Sequence, residues 1–238
     1  MEWWNFWSQS LVQAVTLLFS GDVYVWSTIG VSLKVSGLAL LLSSATALPF
    51  AALLAYKRFP GHKSLKLLVY TGMGIPSVIV GVIVLLLLTE RGPLGQFQWL
   101  WTPQAMVVAQ SILIFPLLTG VGLSALEAVD PHLVQAAASL GARPLRQVLV
   151  MMGQARRGLV TAVLSAFGRA ISEVGAVLIV GGNIVLSGER SYTRTLTTAI
   201  VVETRQGNFE TALAFGLILF AIGLCVNWLA LRLGHSAR

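Results

Sequence analysis

Arg169, Ser172 and Glu173 are the residues of this chain whose types and spacing most plainly allow chemistry. They fall inside a long apolar run, and Arg169 and Glu173 stand four apart, so on a helix they share a face and can pair. Ser165 and Ala176 extend that face. A charge at mid-bilayer costs about 2.5–3.5 kcal/mol even on a lenient scale. Such a pair therefore either locks two helices together or lines a route for a charged solute. Lys34, in the first apolar run, has two readings as well. Its long stem snorkels outward, or it is a cation that draws an anion into a pathway.

Nothing in the residue pattern points to covalent catalysis. The chain lacks a nucleophile–base pair and any metal-ligand spacing, so no catalytic residue, metal ligand or cofactor is expected. Gly61-His62-Lys63-Ser64 lacks the earlier glycine of a phosphate-binding loop, so any energy from ATP must come through another chain. The histidines (His62, His132, His235) fall in loops or the tail and read as solvated. Cys225 stands alone in the last apolar run, which excludes an internal disulfide.

The elements that must position these residues are membrane helices. Of 238 residues, 56% are hydrophobic and 11% charged, against nearer 25% charged in soluble domains. Apolar stretches long enough to span recur at 24–56, 65–89, 103–126, 158–186 and 209–231, giving an all-α, polytopic bundle of about five spans. The N-terminus carries no basic segment ahead of an apolar core, so no cleaved signal is expected. Residues 1–23 hold Trp3, Trp4, Phe6 and Trp7 and read as an interfacial amphipathic lead-in. The domain proper is 24–234.

Charge fixes the orientation. If the 57–64 and 127–157 loops share a side with the C-terminus, that side carries Lys57, Arg58, Lys63, Lys66, Arg143, Arg146, Arg156, Arg157, Arg232 and Arg238. The other side carries Arg91, Arg190, Arg194 and Arg205. The positive-inside rule puts the N-terminus outside and the 128–157 loop in the cytoplasm. The net charge of +7 is thus a topology signal, and no nucleic-acid partner is expected.

Proline and glycine mark finer features. Breaks are expected at Pro76 and Pro116, and the first span, about 33 residues long, must tilt, kink at Pro49 or project from the membrane. Close-packing faces are expected at Gly30, Gly37, Ser43, Ser44 and Ala45 in the first span, and at Gly72, Gly74, Ser77 and Gly81 in the second. In the outer loop 187–208, Leu196, Ala199 and Ile200 predict a short amphipathic helix, and Gly207-Asn208 turns the chain into the last span.

The 128–157 loop has its own logic. Asp130 is an N-cap and Pro131 suits the first helical position. Gly141 stops that helix, and Pro144 opens another. Leu145, Val148, Leu149 and Met152 recur as one apolar stripe, with Arg143, Arg146 and Gln147 off it. The result is helix, glycine corner, helix, with the small residues Ala136, Ala137, Ala138 and Ser139 open to close approach. It reads either as a docking platform or as a solvated loop on the bilayer surface.

The segment Gln135-Ala136-Ala137-Ala138-Ser139-Leu140-Gly141 resembles the cytoplasmic Glu-Ala-Ala-x-x-x-Gly loop of ATP-binding-cassette importer permeases. Glutamine stands here for the glutamate, and the usual closing Leu-Pro is absent. The resemblance covers residues 24–231. It implies that Pro131, Gln135, Ala136, Ala137, Leu140, Gly141 and Arg143 meet an ATPase subunit. Two further stretches, 168–184 and 193–209, resemble the tungstate branch of the molybdate/tungstate permeases. That likeness implies a homodimer in a bacterial or archaeal cytoplasmic membrane, two ATPase copies below, and a periplasmic or lipid-anchored oxyanion-binding protein outside. Lys34, Arg169, Ser172, Glu173, Thr195 and Thr197 are then expected on the substrate path, where hydroxyls and cations suit a tetrahedral dianion. Molybdate or sulfate is the alternative cargo. An ion-coupled carrier, with Glu173 as its acidic site, and a scaffold without transport are the remaining readings.

Overall fold

The computed structural model describes residues 2–188 and 190–235. Arg238 lies outside the described residues, as do the side chains of Trp3, Trp4, Phe6 and His235. Asp22 begins the bundle: its carboxylate accepts from Tyr24 N at 2.7 Å and Val25 N at 3.2 Å, satisfying the open end of a 34-residue helix. That helix, α2 (Val23–Tyr56), follows α1 (Glu2–Phe19). Next come α3 (His62–Met73), α4 (Ser77–Leu88), α5 (Pro103–Glu127), α6 (Pro131–Ser139), α7 (Pro144–Gln154), α8 (Arg156–Ile171) and α9 (Gly175–Gly181). A two-stranded hairpin, β1 (Val185–Leu186) and β2 (Arg190–Ser191), leads to α10 (Leu196–Arg205) and α11 (Phe209–His235).

Among the described residues three single helices, α2, α5 and α11, are long and apolar enough to cross a membrane. Two bent pairs bring the number of candidate spans to five: α3 with α4, bent by 103°, and α8 with α9, bent by 55°. The all-α polytopic class follows. Pro76 marks the first break, as its ring and missing N–H demand. Pro49 and Pro116 break nothing and sit inside continuous helices. The fourth apolar run, expected as one span, is instead interrupted at 172–174 and leaves its helical course before the hairpin.

The core lies where α2, α5 and α8 meet, with α4 and α9 packed beside them. Ala162, Ala166 and Ala170 recur every four residues on α8 and are fully buried, which lets the backbones approach closely. Two second-span glycines make such contacts too: a Cβ on Gly72 would stand 2.9 Å from Pro116 Cβ and one on Gly81 2.9 Å from Ala176 Cα, whereas one on Gly74 would meet only Thr71 O of its own segment, at 3.7 Å. Gly30 and Gly37 do not, since a Cβ on either meets nothing within 4 Å. On α2 the packing positions are Val35, Ala39, Ser43 and Ala47. Their spacing of four defines the buried face, and the glycines fall beside it.

Two smaller clusters close the ends. Ala51, Leu54, Leu123, Leu126 and Met151 pack at the end that carries α6 and α7. His62 belongs there. It is buried, its Nε2 lies 2.7 Å from Leu54 O, and its ring stands edge-on to Phe59. The expectation of a solvated His62 is therefore corrected: it ties the end of α2 to the start of α3. At the opposite end Val25, Ile29, Leu196, Ala199 and Phe215 pack together.

Candidate functional site: a docking corner and two broken spans

The α6–α7 corner follows its sequence chemistry closely. Asp130 Oδ1 accepts from His132 N at 2.9 Å. At the far end of α6, Gly141 adopts φ +80°. Its N–H donates to Ala138 O at 2.9 Å, and Ala142 N donates to Ala137 O at 3.0 Å. Those paired bonds satisfy carbonyls that would otherwise be orphaned. Gln147 then fastens the corner to the bundle, donating through Nε2 to Ala142 O and accepting from Tyr56 Oη, both at 2.8 Å.

The apolar stripe of α7 is rotated from its expected position. Met151 and the following Ala155 are buried, with Val148 and Met152 packed beside them. Leu145 and Leu149 are 73% and 58% exposed. The face of α7 that carries Gln147, Val148, Met151 and Met152 meets the bundle, and the face that carries Leu145 and Leu149 projects. Leu140, at the tip, is 89% exposed. A hollow of about 580 Å³ is lined by Ala137, Leu140, Gly141, Arg143, Arg146 and Val150. Pro131, Gln135 and Ala136 are exposed on the adjoining face of α6. The corner thus presents apolar surface flanked by cations, which suits a partner that covers the leucines and carries acidic groups at its rim.

Inside the bundle the two breaks face each other. A Cβ on Gly81 would come within 2.9 Å of Ala176 Cα, and one on Gly175 would meet Val78 at 3.0 Å and Ser77 Oγ at 3.1 Å. Glu173 sits in the second break rather than on a helix. Its side chain is 3% exposed, and its Oε2 lies 4.0 Å from Arg169 Nη2. Its Oε1 accepts from Ala176 N at 3.1 Å. The carboxylate therefore does two jobs that a straight helix would not ask of it. It balances Arg169 and satisfies a free N–H opened by the break.

Thr197 Oγ1 donates to Glu173 O at 2.8 Å. Thr195 and Thr198 form a reciprocal cap at the start of α10, and Thr195 Oγ1 lies 2.9 Å from Thr197 Oγ1. Leu196 N donates to Ser32 Oγ at 2.8 Å. These hydroxyls are buried and spoken for, and they fasten α10 to both the second break and α2. Arg169 and Ser172 differ: both are exposed, on one side of α8 with Thr161, Ser165 and Gly168. Ser172 Oγ donates back to Gly168 O at 2.7 Å. Lys34 stands apart, lining clefts that contain none of Arg169, Ser172, Glu173, Thr195 or Thr197.

Several contributors give no local sign in the sequence. Gln110 is buried on α5 and donates to Ala170 O at 2.9 Å. Arg194 donates to Asn183 Oδ1 and Tyr24 Oη, each at 3.1 Å. Both link segments far apart in the chain, so only the assembled fold reveals them.

The sequence profile described as binding-protein-dependent transport system inner membrane component matches residues 47–238. A probable anion ABC transporter permease protein of Haloferax volcanii is 50% identical over 209 residues, 88% of this chain and 90% of that protein. The tungstate uptake system permease protein of Peptoclostridium acidaminophilum is 36% identical, covering 90% of this chain and 92% of its own length. The molybdenum transport system permease protein of Escherichia coli K12 is 32% identical over 86% and 93% of the two chains. Among solved structures, a bacterial ABC transporter involved in alginate import has the same fold. It matches with a TM-score of 0.74 at 18% identity, covering 94% of this chain and 82% of that one.

Proposed function

Because the chain belongs to the binding-protein-dependent transport system inner membrane component family, we propose that it is the permease subunit of an ABC importer that carries tungstate inward across the cytoplasmic membrane. The observation that carries the reading is the 36% identity to a tungstate uptake permease over nearly the whole of both chains. The 50% identity to an anion permease agrees with it. Molybdate is the second cargo to consider, given the 32% identical molybdenum permease. The two dianions share charge and tetrahedral shape.

In this reading residues 24–234 form the transmembrane domain, 1–23 its interfacial lead-in, and two copies of the chain enclose the route. An ATPase subunit docks under each copy at the α6–α7 corner, where Leu140 and Leu145 lose their exposed surface. Pro131, Gln135, Ala136, Ala137, Gly141 and Arg143 frame that contact. Pulling on the corner moves α2 through the Tyr56–Gln147 bond and α8 through its junction with α7, a rigid-body transmission. ATP hydrolysis resides on the partner, and a binding protein outside delivers the oxyanion. Along the path Arg169 and Ser172 offer charge and hydroxyl to the passing dianion. Glu173, Thr195 and Thr197 hold the break that sets their position.

The test is uptake by vesicles containing this chain and its ATPase, supplied with binding protein loaded with tungstate, molybdate or sulfate. ATP-dependent accumulation of tungstate ahead of the others is expected. Accumulation that persists without the ATPase would instead reveal an ion-coupled carrier.

A further inference from the structure

Two clefts meet at Lys34. One, of about 440 Å³, runs along α2 and α5 over Leu38, Leu42 and Val107, with Trp99 in its lining. The other, of about 430 Å³, opens toward Leu186, Arg190 and Tyr192 of the hairpin segment. Lys34, Val35, Pro103 and Tyr192 line both, so they form one groove with a cationic end and an apolar end.

Its depth can be read from the elements around it. The hairpin lies against the start of α2, where Ser191 N donates to Ser27 Oγ at 2.9 Å. This is the outer end by the charge distribution of the loops. With 34 residues, α2 is ~51 Å long against a ~30 Å hydrocarbon core, so its ends project. Trp99 and Tyr192 are side chains that settle at headgroup depth. Lys34 thus stands at the outer headgroup boundary, and Leu42 lies ~12 Å further along the helix, most of the ~15 Å thickness of one leaflet's hydrocarbon. Neither Lys34 nor Arg190 has an ion-pair partner among the described residues.

We propose that this groove is a binding site for an acidic phospholipid of the outer leaflet. Its phosphate lies between Lys34 and Arg190, and an acyl chain follows Leu38, Leu42 and Val107. Two cations lining one cleft at the boundary attract an anionic headgroup. The apolar floor beneath them would be of no use to a free inorganic anion. The bound lipid neutralises the lysine at the boundary and wedges the hairpin, α2 and α5 into one unit at the outer end.

The experiment uses the purified full-length chain, stripped of lipid in detergent and titrated with phosphatidylglycerol or phosphatidylcholine under native mass spectrometry. Several-fold preferential retention of phosphatidylglycerol is expected. Lys34→Gln and Arg190→Gln should each remove the preference, and Leu38→Trp should lower retention of both lipids with the cations intact. Equal retention of the two lipids by the unaltered chain, or an unchanged preference in the charge variants, overturns the proposal. So does displacement of the lipid by millimolar tungstate, which would assign the cations to substrate. In a Cys225→Ser background, a Lys34→Cys variant that forms a disulfide with a second copy would fill the groove with protein and overturn it likewise. Elution volume and melting temperature verify folding. Should Lys34→Gln fail to fold, Arg190→Gln on the exposed hairpin decides the same question.

Discussion

At Gly141 a Cβ would meet open space, yet the residue holds φ +80°, so the cost of replacing it is conformational rather than steric. An L-residue in that region pays about 1–2 kcal/mol. Gly141→Ala should therefore loosen the corner locally, while Gly141→Asp adds a charge beside Leu140. We expect the alanine variant to support much of the partner subunit's stimulated ATPase activity in vesicles and the aspartate variant to abolish it; full activity with the latter would remove the corner from coupling. Thr197→Val deletes the donor to Glu173 O in a dry setting, for a loss of about 1 kcal/mol read as a lower melting temperature. Arg169→Met is a different kind of change, because that side chain is 43% exposed. It should fold normally and slow tungstate uptake, and unimpaired uptake would take Arg169 off the route. Of these positions the sequence marked Gly141, Arg169 and Thr197. It could not show that Thr197 is spent on a backbone carbonyl, since the carbonyl lies 24 residues away.

The two breaks are the elements on which the candidate path depends. Pro76 announces the first. The second has no proline or glycine at 172–174, and it survives because Glu173, Thr197 and Gln110 between them satisfy the backbone groups that the interruption exposes. Irregular backbone at membrane depth is tolerated only where such partners exist. The helices beyond the breaks press together at Gly81 and Ala176, where an added Cβ would stand 2.9 Å from backbone. Gly81→Leu should force α4 from α9 and cost about 1–3 kcal/mol; the check is detergent stability together with the yield of assembled transporter. A variant as stable as the parent would mean that the two helices do not press together at this point.

For the whole molecule the deciding matter is which ends face which compartment. The α6–α7 corner and the His62–Leu54 junction belong to the basic side, and the hairpin with α10 to the other. In a Cys225→Ser background, a cysteine at Ser139 should be labelled by an impermeant thiol reagent only in inverted vesicles. One at Ser187 should be labelled only in right-side-out vesicles or cells. Reversal of that pattern would overturn the orientation and, with it, the proposed docking of an ATPase at Gly141.

Sequence by itself determined the helical class, the candidate spans, the capped and glycine-stopped corner and the helix at 196–205, because each rests on local chemistry: hydropathy, caps and turn conformations that neighbouring residues set among themselves. Tertiary structure decided the rest. Pro116 remains inside an unbroken helix, α7 is turned so that Leu145 and Leu149 project, His62 is buried, and Lys34 opens toward the hairpin rather than toward Arg169. Each of these depends on which side of a helix meets a neighbour distant in the chain. An apolar run with few polar landmarks carries little record of that choice, since in a membrane lipid and protein present nearly the same apolar surroundings.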